Sequence, residues 1–311
     1  MTSTHPCSDN DVAVLGAGIM GSSIAAALAL ARAEVTVVAR DVQRARARVD
    51  EILDKARRWE LADDARATAA RGRLQFVDAP DAVPRTVGAV LESLPESLPL
   101  KVDVLTQVLR GLHPSVLVAT NTSSLSVREI ASGIRREATT VGLHFMNPAV
   151  LMPLVEVVAT AEAAPAAVER CLRLAARLGK RVIYVADDSP GFVWNRLQIA
   201  LLREAVELVR EGVASPGDVD AAVELGLARR WQYTGPLMTA RLGGADTFRV
   251  VARNLLPLCS KRCELDDLEN HLPDAASAAA AGAAREKSLA DLLVSHTQGP
   301  ARVAGDRGAR G

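Results

Sequence analysis

The feature that most restricts the fold is the stretch VAVLGAGIMGSSIAAALAL, residues 12–30. Gly16, Gly18 and Gly21 there follow a short apolar strand and open an apolar helix. A G-x-G-x-x-G turn so placed has a reason for each glycine. The first makes a tight turn, the second lets a bound group approach the backbone, and the third lets helix and strand pack closely. The first helical turn, with Ile19 and Met20, presents unsatisfied N–H groups and a positive dipole end to an anion. Such a turn belongs to an α/β sheet and implies a pyrophosphate-containing dinucleotide as ligand.

The pattern downstream agrees. Up to about residue 187 short β-branched runs alternate with helical segments. Strands are predicted at Val12–Leu15, Val35–Val38, Arg73–Phe76, Val87–Leu91, Val116–Ala119, Thr140–Leu143, Leu154–Val158 and Arg181–Val185. Alternation of this kind predicts a parallel sheet covered on both faces. The charged, proline-free stretch between the second and third strands predicts a helical hairpin. The stretch DDSPGF, Asp187–Phe192, breaks the pattern, and the residues after it are helical in character. Apolar positions recur at helical spacing from Asn195 to Glu211, Ser215 and Pro216 read as an N-cap and first helical residue, and an alanine-rich last helix comes later. The fold class expected is therefore α/β, a Rossmann-type doubly wound sheet followed by an all-α C-terminal domain. The expected limits are 1–187, 188–296 and a disordered tail, 297–311.

Composition narrows the function classes. In 311 residues, Lys plus Arg and Asp plus Glu are 37 each, so net charge offers no general attraction to nucleic acid or to an anionic membrane. The N-terminal residues have neither the basic start nor the apolar core of a signal peptide. The four scattered cysteines, Cys7, Cys171, Cys259 and Cys263, fit reduced thiols better than a disulfide framework, and a cytoplasmic location is expected. Cys259 and Cys263 with His271 have metal-like spacing but sit in a helical-looking stretch; no metal site is predicted.

The second strand raises the cofactor question. In EVTVVARDVQRARAR, Glu34–Arg48, the strand ends in Ala39-Arg40. A site for NAD ends this strand in a carboxylate that accepts from the ribose 2′-hydroxyl; a 2′-phosphate needs a small residue and a cation instead. Ala39 removes the acid, Arg40 can fork onto a phosphate, and Arg44 lies one helical turn on. NADP is expected. The alternative is NAD, with Asp41 reaching the ribose from a shifted register and the arginines merely solvated.

A second constellation lies in ATNTSSLSVREIASGIRREATTVGLHFMNPAVLMPLVEVV, Ala119–Val158. His144 and Glu156 fall at the ends of neighbouring strands. A carboxylate there can hold one imidazole nitrogen, fixing the tautomer and raising the basicity of the other, which exchanges a proton with a substrate hydroxyl.

These pieces together resemble the 3-hydroxyacyl-CoA dehydrogenase superfamily. The matching elements are GAGIMG, NTSSL (Asn121–Leu125), LHFMNP (Leu143–Pro148), LVEV (Leu154–Val157) and PGFVWNRL (Pro190–Leu197), in the family order and spanning the chain to about residue 260. The resemblance implies that His144 is the catalytic acid/base and Glu156 its partner. It implies that Ser123 and Asn195 hold the reacting oxygen and that Asn147 orients His144 or its loop. Glu96 and Lys101, in LPESLPLKVDVL, match the family's stretch beside the nicotinamide ribose, and Asn121 falls on the cofactor side.

One departure bears on the substrate. LARRWQYTGPLMTARLGGADT, Leu227–Thr247, replaces the family's small-residue segment with bulky and cationic residues. This part looks more like the branch containing L-gulonate 3-dehydrogenase and L-carnitine dehydrogenase, in which the arginine matching Arg230 would face a substrate carboxylate; the alternative is an ordinary surface arginine. The expectation is an NAD(P)-dependent oxidoreductase interconverting a 3-hydroxy acid, or its thioester, and the 3-oxo compound. Alternatives are a 3-hydroxyacyl-CoA or acyl-carrier-protein dehydrogenase, and a catalytically inert, crystallin-like dinucleotide-binding protein. The apolar excess of the helix from Asn195 onward predicts a homodimer through the C-terminal domain.

Overall fold

A computed structural model describes residues 8–186, 188–273 and 275–298. Cys7, Asp187 and the tail beyond 298 lie outside the described residues. The chain divides into two compact units, residues 1–193 with 284–311, and residues 194–283.

The first unit is built on eight strands: β1 (Ser8–Leu15), β2 (Glu34–Val38), β3 (Leu74–Val77), β4 (Val87–Glu92), β5 (Leu117–Thr120), β6 (Thr140–Phe145), β7 (Leu154–Val158) and β8 (Arg181–Val185). Each falls on a run predicted from the sequence. Its helices are α1 (Ile19–Leu30), α2 (Val42–Arg58), α3 (Asp64–Gly72), α4 (Leu98–Leu109), α5 (Val127–Ile134) and α6 (Pro165–Arg177), with α2 and α3 the expected helical hairpin. The strands lie in the order β3-β2-β1-β4-β5-β6-β7-β8. Alternate residues of β1 point to opposite faces: Val12 and Val14 join the core under α1, α2 and α6, whereas Ala13 and Leu15 join the core under α4 and α5. Both faces are thus covered, as a Rossmann-type sheet requires. Strand order reverses between β1 and β4, and the carboxyl ends of the strands there are where such sheets bind ligands.

The expected all-parallel sheet needs one correction. β6 and β7 are antiparallel, with His144 directly opposite Glu156. The reason is length: residues 146–153 are too few for a parallel crossover, which takes a dozen residues or more, so the chain turns back as a hairpin.

The second unit carries α7 (Trp194–Arg210), α8 (Pro216–Ala221), α9 (Ala228–Trp231), α10 (Pro236–Leu242) and α11 (Ala245–Leu255); α12 (Ala275–Gln298) begins in it. Ser215 caps α8, its Oγ accepting from the Asp218 amide at 3.2 Å, and Pro216 is its first residue. Among the described residues of this unit one hydrophobic side chain, Val206, is buried. Leu237 is 87 % exposed and Leu258 77 %, and Leu197, Leu242, Val250 and Leu256 are exposed as well. Among the described residues, no helix is long and apolar enough to cross a membrane.

Candidate active site

The glycine turn joins β1 to α1. Gly16 has φ +95°, and a Cβ there would lie 2.5 Å from the Ser93 carbonyl oxygen; a Cβ on Gly21 would lie 2.0 Å from the Gly16 carbonyl oxygen. Both positions therefore admit only glycine, through the protein's own packing. Gly18 differs, because a Cβ there meets no protein atom within 4 Å. Packing does not require that glycine, whereas close approach of a ligand does. Gly18 N-caps α1 with no side-chain hydrogen bond and no acidic residue in the first turn, so the helix end suits a phosphate. Ile19 beside it is 73 % exposed. These residues fit the pyrophosphate of a dinucleotide.

At the end of β2, Ala39 is half-buried and Arg40 and Arg44 are exposed. Asp41 is the N-cap of α2, accepting from the Arg44 amide at 2.9 Å. Arg48, which sequence reasoning does not single out, donates from Nη1 to the Ala17 carbonyl at 3.0 Å and so braces the glycine turn. Its signal is the four-residue interval that relates Arg40, ahead of α2, to Arg44 and Arg48 within it.

The second cluster sits on the same edge of the sheet. His144 is 5 % exposed and Glu156 is completely buried. His144 Nδ1 lies 2.8 Å from Glu156 Oε2. The other carboxylate oxygen accepts from the Val193 amide at 2.9 Å. Phe192 packs against the imidazole, ring centroids 5.6 Å apart at 62°. It is 2 % exposed and held in the left-handed region at φ +48° by packing with Val127, Val158 and Val185. In sequence, PGFV reads only as a boundary and a family marker; its hold on the pair comes from a conformation that no residue type there announces. Lys180 holds the hairpin connection, its Nζ donating to the carbonyls of Ala149 and Met152, each at 2.7 Å. Burial lowers the pKa of this lysine to about 8.

Between the clusters lies the loop Asn121–Leu125. The Asn121 side-chain carbonyl accepts from the Phe145 amide at 2.8 Å, tying the loop to the strand of His144. Glu96 Oε1 accepts from the Thr122 hydroxyl at 2.6 Å, from the amides of Ser123 and Ser124 at 3.0 and 2.9 Å, and from the Ser124 hydroxyl at 3.0 Å. Burial alone would raise the pKa of Glu96. The Thr122 hydroxyl, the Ser124 amide, Lys101 and the Ser123 amide outweigh it and hold the value at about 2.

Lys101, expected beside the cofactor ribose, is only 1 % exposed, with its ammonium enclosed by Glu92, Glu96 and the Leu94 carbonyl. Asn147 is exposed after β6, and the groups on the His144 ring are Glu156 and Phe192. Asn195, half-buried in the first turn of α7, and Arg230, exposed in α9, belong to the second unit.

Known proteins bear on these features. The family described as 3-hydroxyacyl-CoA dehydrogenase, NAD binding domain, matches residues 11–189, and its C-terminal domain matches residues 191–286. L-carnitine dehydrogenase from a Pseudomonas species is 36 % identical over 241 residues, covering 75 % of this chain and 73 % of that one. Among solved structures, 5-formyl-3-hydroxy-2-methylpyridine 4-carboxylic acid 5-dehydrogenase, described as an NAD+-dependent dismutase, superposes with a TM-score of 0.81. It is 26 % identical and covers 91 % of this chain and 97 % of its own. The (S)-3-hydroxybutyryl-CoA dehydrogenase of Ralstonia eutropha has a TM-score of 0.66 at 32 % identity, covering 80 % and 87 %. A glycine turn at the reversal of the sheet and a buried His–Glu pair on the same edge thus lie within the matched regions, and the chain belongs to the 3-hydroxyacyl-CoA dehydrogenase family, oxidoreductases acting on a CH–OH group with NAD.

Proposed function

We propose that the chain oxidises a small 3-hydroxy acid to the 3-oxo acid, or runs the reverse reduction, with His144 as acid/base. The observation that carries this reading is the buried contact of 2.8 Å between His144 Nδ1 and Glu156 Oε2. Glu156 occupies Nδ1 and leaves Nε2 as the nitrogen that exchanges the proton of the substrate hydroxyl. As that proton arrives the ring becomes cationic, and the adjacent carboxylate stabilises it. Ser123 and Asn195 hold the reacting oxygen, and Arg230 forks onto the substrate carboxylate. The nicotinamide, when bound, supplies hydride exchange with substrate carbon 3. Similarity to L-carnitine dehydrogenase supports a free acid. The second reading, an acyl thioester, is favoured by similarity to the Ralstonia enzyme. Turnover of free acids compared with that of their thioesters separates the two.

The first unit matches the family's NAD binding domain, and the preference proposed within it is for NADP. Ala39 offers no carboxylate to a 2′-hydroxyl, Asp41 is engaged at the start of α2, and Arg40 and Arg44 are exposed beside it. Arg40, Arg44 and Arg48 supply the cations that a 2′-phosphate needs. Comparison of NADPH and NADH affinity in the wild type and in Ala39→Asp tests the preference.

The assembly proposed is a homodimer through the second unit. A helical unit with one buried hydrophobic residue among those described leaves most of its apolar side chains without cover in a single chain. A second copy would cover the exposed leucines and valines. Sedimentation equilibrium at micromolar concentration is expected to read the mass of two chains, and a monomer there would sink the proposal.

A further inference from the structure

The segment Asp188–Val193, which runs into α7, is held at both ends. At its start, Asp188 sits on the first turn of α5. Its Oδ2 accepts from the Ser126 hydroxyl at 2.5 Å and from the Arg128 amide at 2.9 Å, and Oδ1 accepts from the Val127 amide at 3.0 Å. A carboxylate suits this place, because the first amides of a helix lack intrahelical partners and carry the positive end of its dipole. At the other end of the segment, the Val193 amide donates to Glu156 Oε1 at 2.9 Å, while Oε2 of the same carboxylate takes His144 Nδ1. Between the two anchors the chain turns through Gly191 at φ +76° and Phe192 at φ +48°. A phenylalanine in the left-handed region persists only where its surroundings impose that conformation. Val127, whose amide holds Asp188, is also one of the side chains packed around Phe192.

From this geometry we infer that Asp188 is a positioning residue for the acid/base pair. By fixing the start of the segment on α5, it keeps Phe192 against the imidazole and the Val193 amide on Glu156. This rests on the acid/base reading of His144 given above. A carboxylate held at both oxygens cannot swing away from Nδ1, so the direction of the ring and its tautomer are set together. Without the Asp188 carboxylate, the two left-handed residues lose the anchor on their amino side. The Val193 amide then leaves Glu156, and small misplacements at a reacting centre slow chemistry sharply. The glycine turn and the end of β2 are built from other segments, so the cofactor keeps its affinity.

The test uses the full chain and three variants, Asp188→Ala, Glu156→Gln and the two combined. Asp188→Ala is expected to lower kcat about tenfold to a hundredfold. Dissociation constants for NADPH and NADH, read by fluorescence titration, should stay within about twofold of wild type. The combined variant should turn over no more slowly than Glu156→Gln alone, because residues acting through one another are not additive. A lower melting temperature with kcat intact would make Asp188 a helix cap only and would overturn the inference. So would losses that multiply in the combined variant, which leave the role of the pair standing. If Glu156→Gln turns over like wild type, the reading of the pair fails first and the inference with it. Should Asp188→Ala not fold, Asp188→Asn takes its place, since it keeps one carbonyl for the amides of α5 but cannot accept at both positions. The same outcomes decide the matter in that background.

Discussion

His144→Gln is expected to lower kcat by about 10²- to 10⁴-fold, the range ascribed to a positioned general acid or base. Binding of NADPH and NADH should be unchanged. Glu156 is buried, and its oxygens take His144 Nδ1 at 2.8 Å and the Val193 amide at 2.9 Å. A glutamine amide can still donate to the first of these oxygens, so the carboxylate keeps a partner and the hairpin of β6 and β7 keeps its register. What glutamine lacks is a ring nitrogen that can take up and release the proton of the substrate hydroxyl. The loss therefore falls on chemistry rather than on folding. Steady-state kinetics with a parallel fluorescence titration check this, and turnover close to wild type would remove His144 from the acid/base role.

Ala39→Asp is expected to reverse the cofactor preference, changing the ratio of NADPH to NADH affinity by about a hundredfold. A charge-assisted hydrogen bond contributes roughly 1.5–3 kcal/mol, and each 1.4 kcal/mol is a factor of ten. The new carboxylate gains the ribose hydroxyl of NADH and repels the 2′-phosphate of NADPH, so both effects act in one direction. Ala39 is half-buried at the end of β2, next to exposed Arg40, which gives the new side chain room to reach outward. Titration of both reduced cofactors into wild type and variant reads the ratio. An unchanged ratio would make Arg40 and Arg44 surface charges only.

Much of this site was legible in the residues themselves because its parts carry local signals. Gly16 and Gly21 are dictated by contacts within a few residues of a strand end, and β-branched runs between turn residues located every strand. The pairing of His144 with Glu156 was legible as an adjacency of two strands. Its antiparallel sense was not read from the alternating pattern, although the short connection through Pro148 and Pro153 already excluded a crossover. Lys101 was matched to the family's stretch beside the nicotinamide ribose, a resemblance that says nothing of how deep the side chain lies. Its burial depends on Glu92, Thr120 and Glu96, which come from three segments and meet only in the folded sheet. Phe192 escaped notice for a related reason: a left-handed phenylalanine is imposed by Val127, Val158 and Val185 around it, not by any local preference. Arg48 reaches the glycine turn across 31 positions of sequence, a distance over which periodicity gives direction but no partner.

On the proposed reading, this His–Glu pair serves a nicotinamide-dependent oxidation of small 3-hydroxy acids. The most direct test incubates the protein with oxidised cofactor, NADP+ and NAD+ in separate arms. It is offered short free 3-hydroxy acids, including one with a quaternary ammonium group, and the CoA thioesters of the acids that form them, and the reduced nicotinamide is monitored by its absorbance. Reduction with at least one free acid, lost in His144→Gln, is the expected result. Reduction confined to the thioesters would contradict the free-acid reading, and turnover that survives in His144→Gln would contradict the chemistry assigned to the pair.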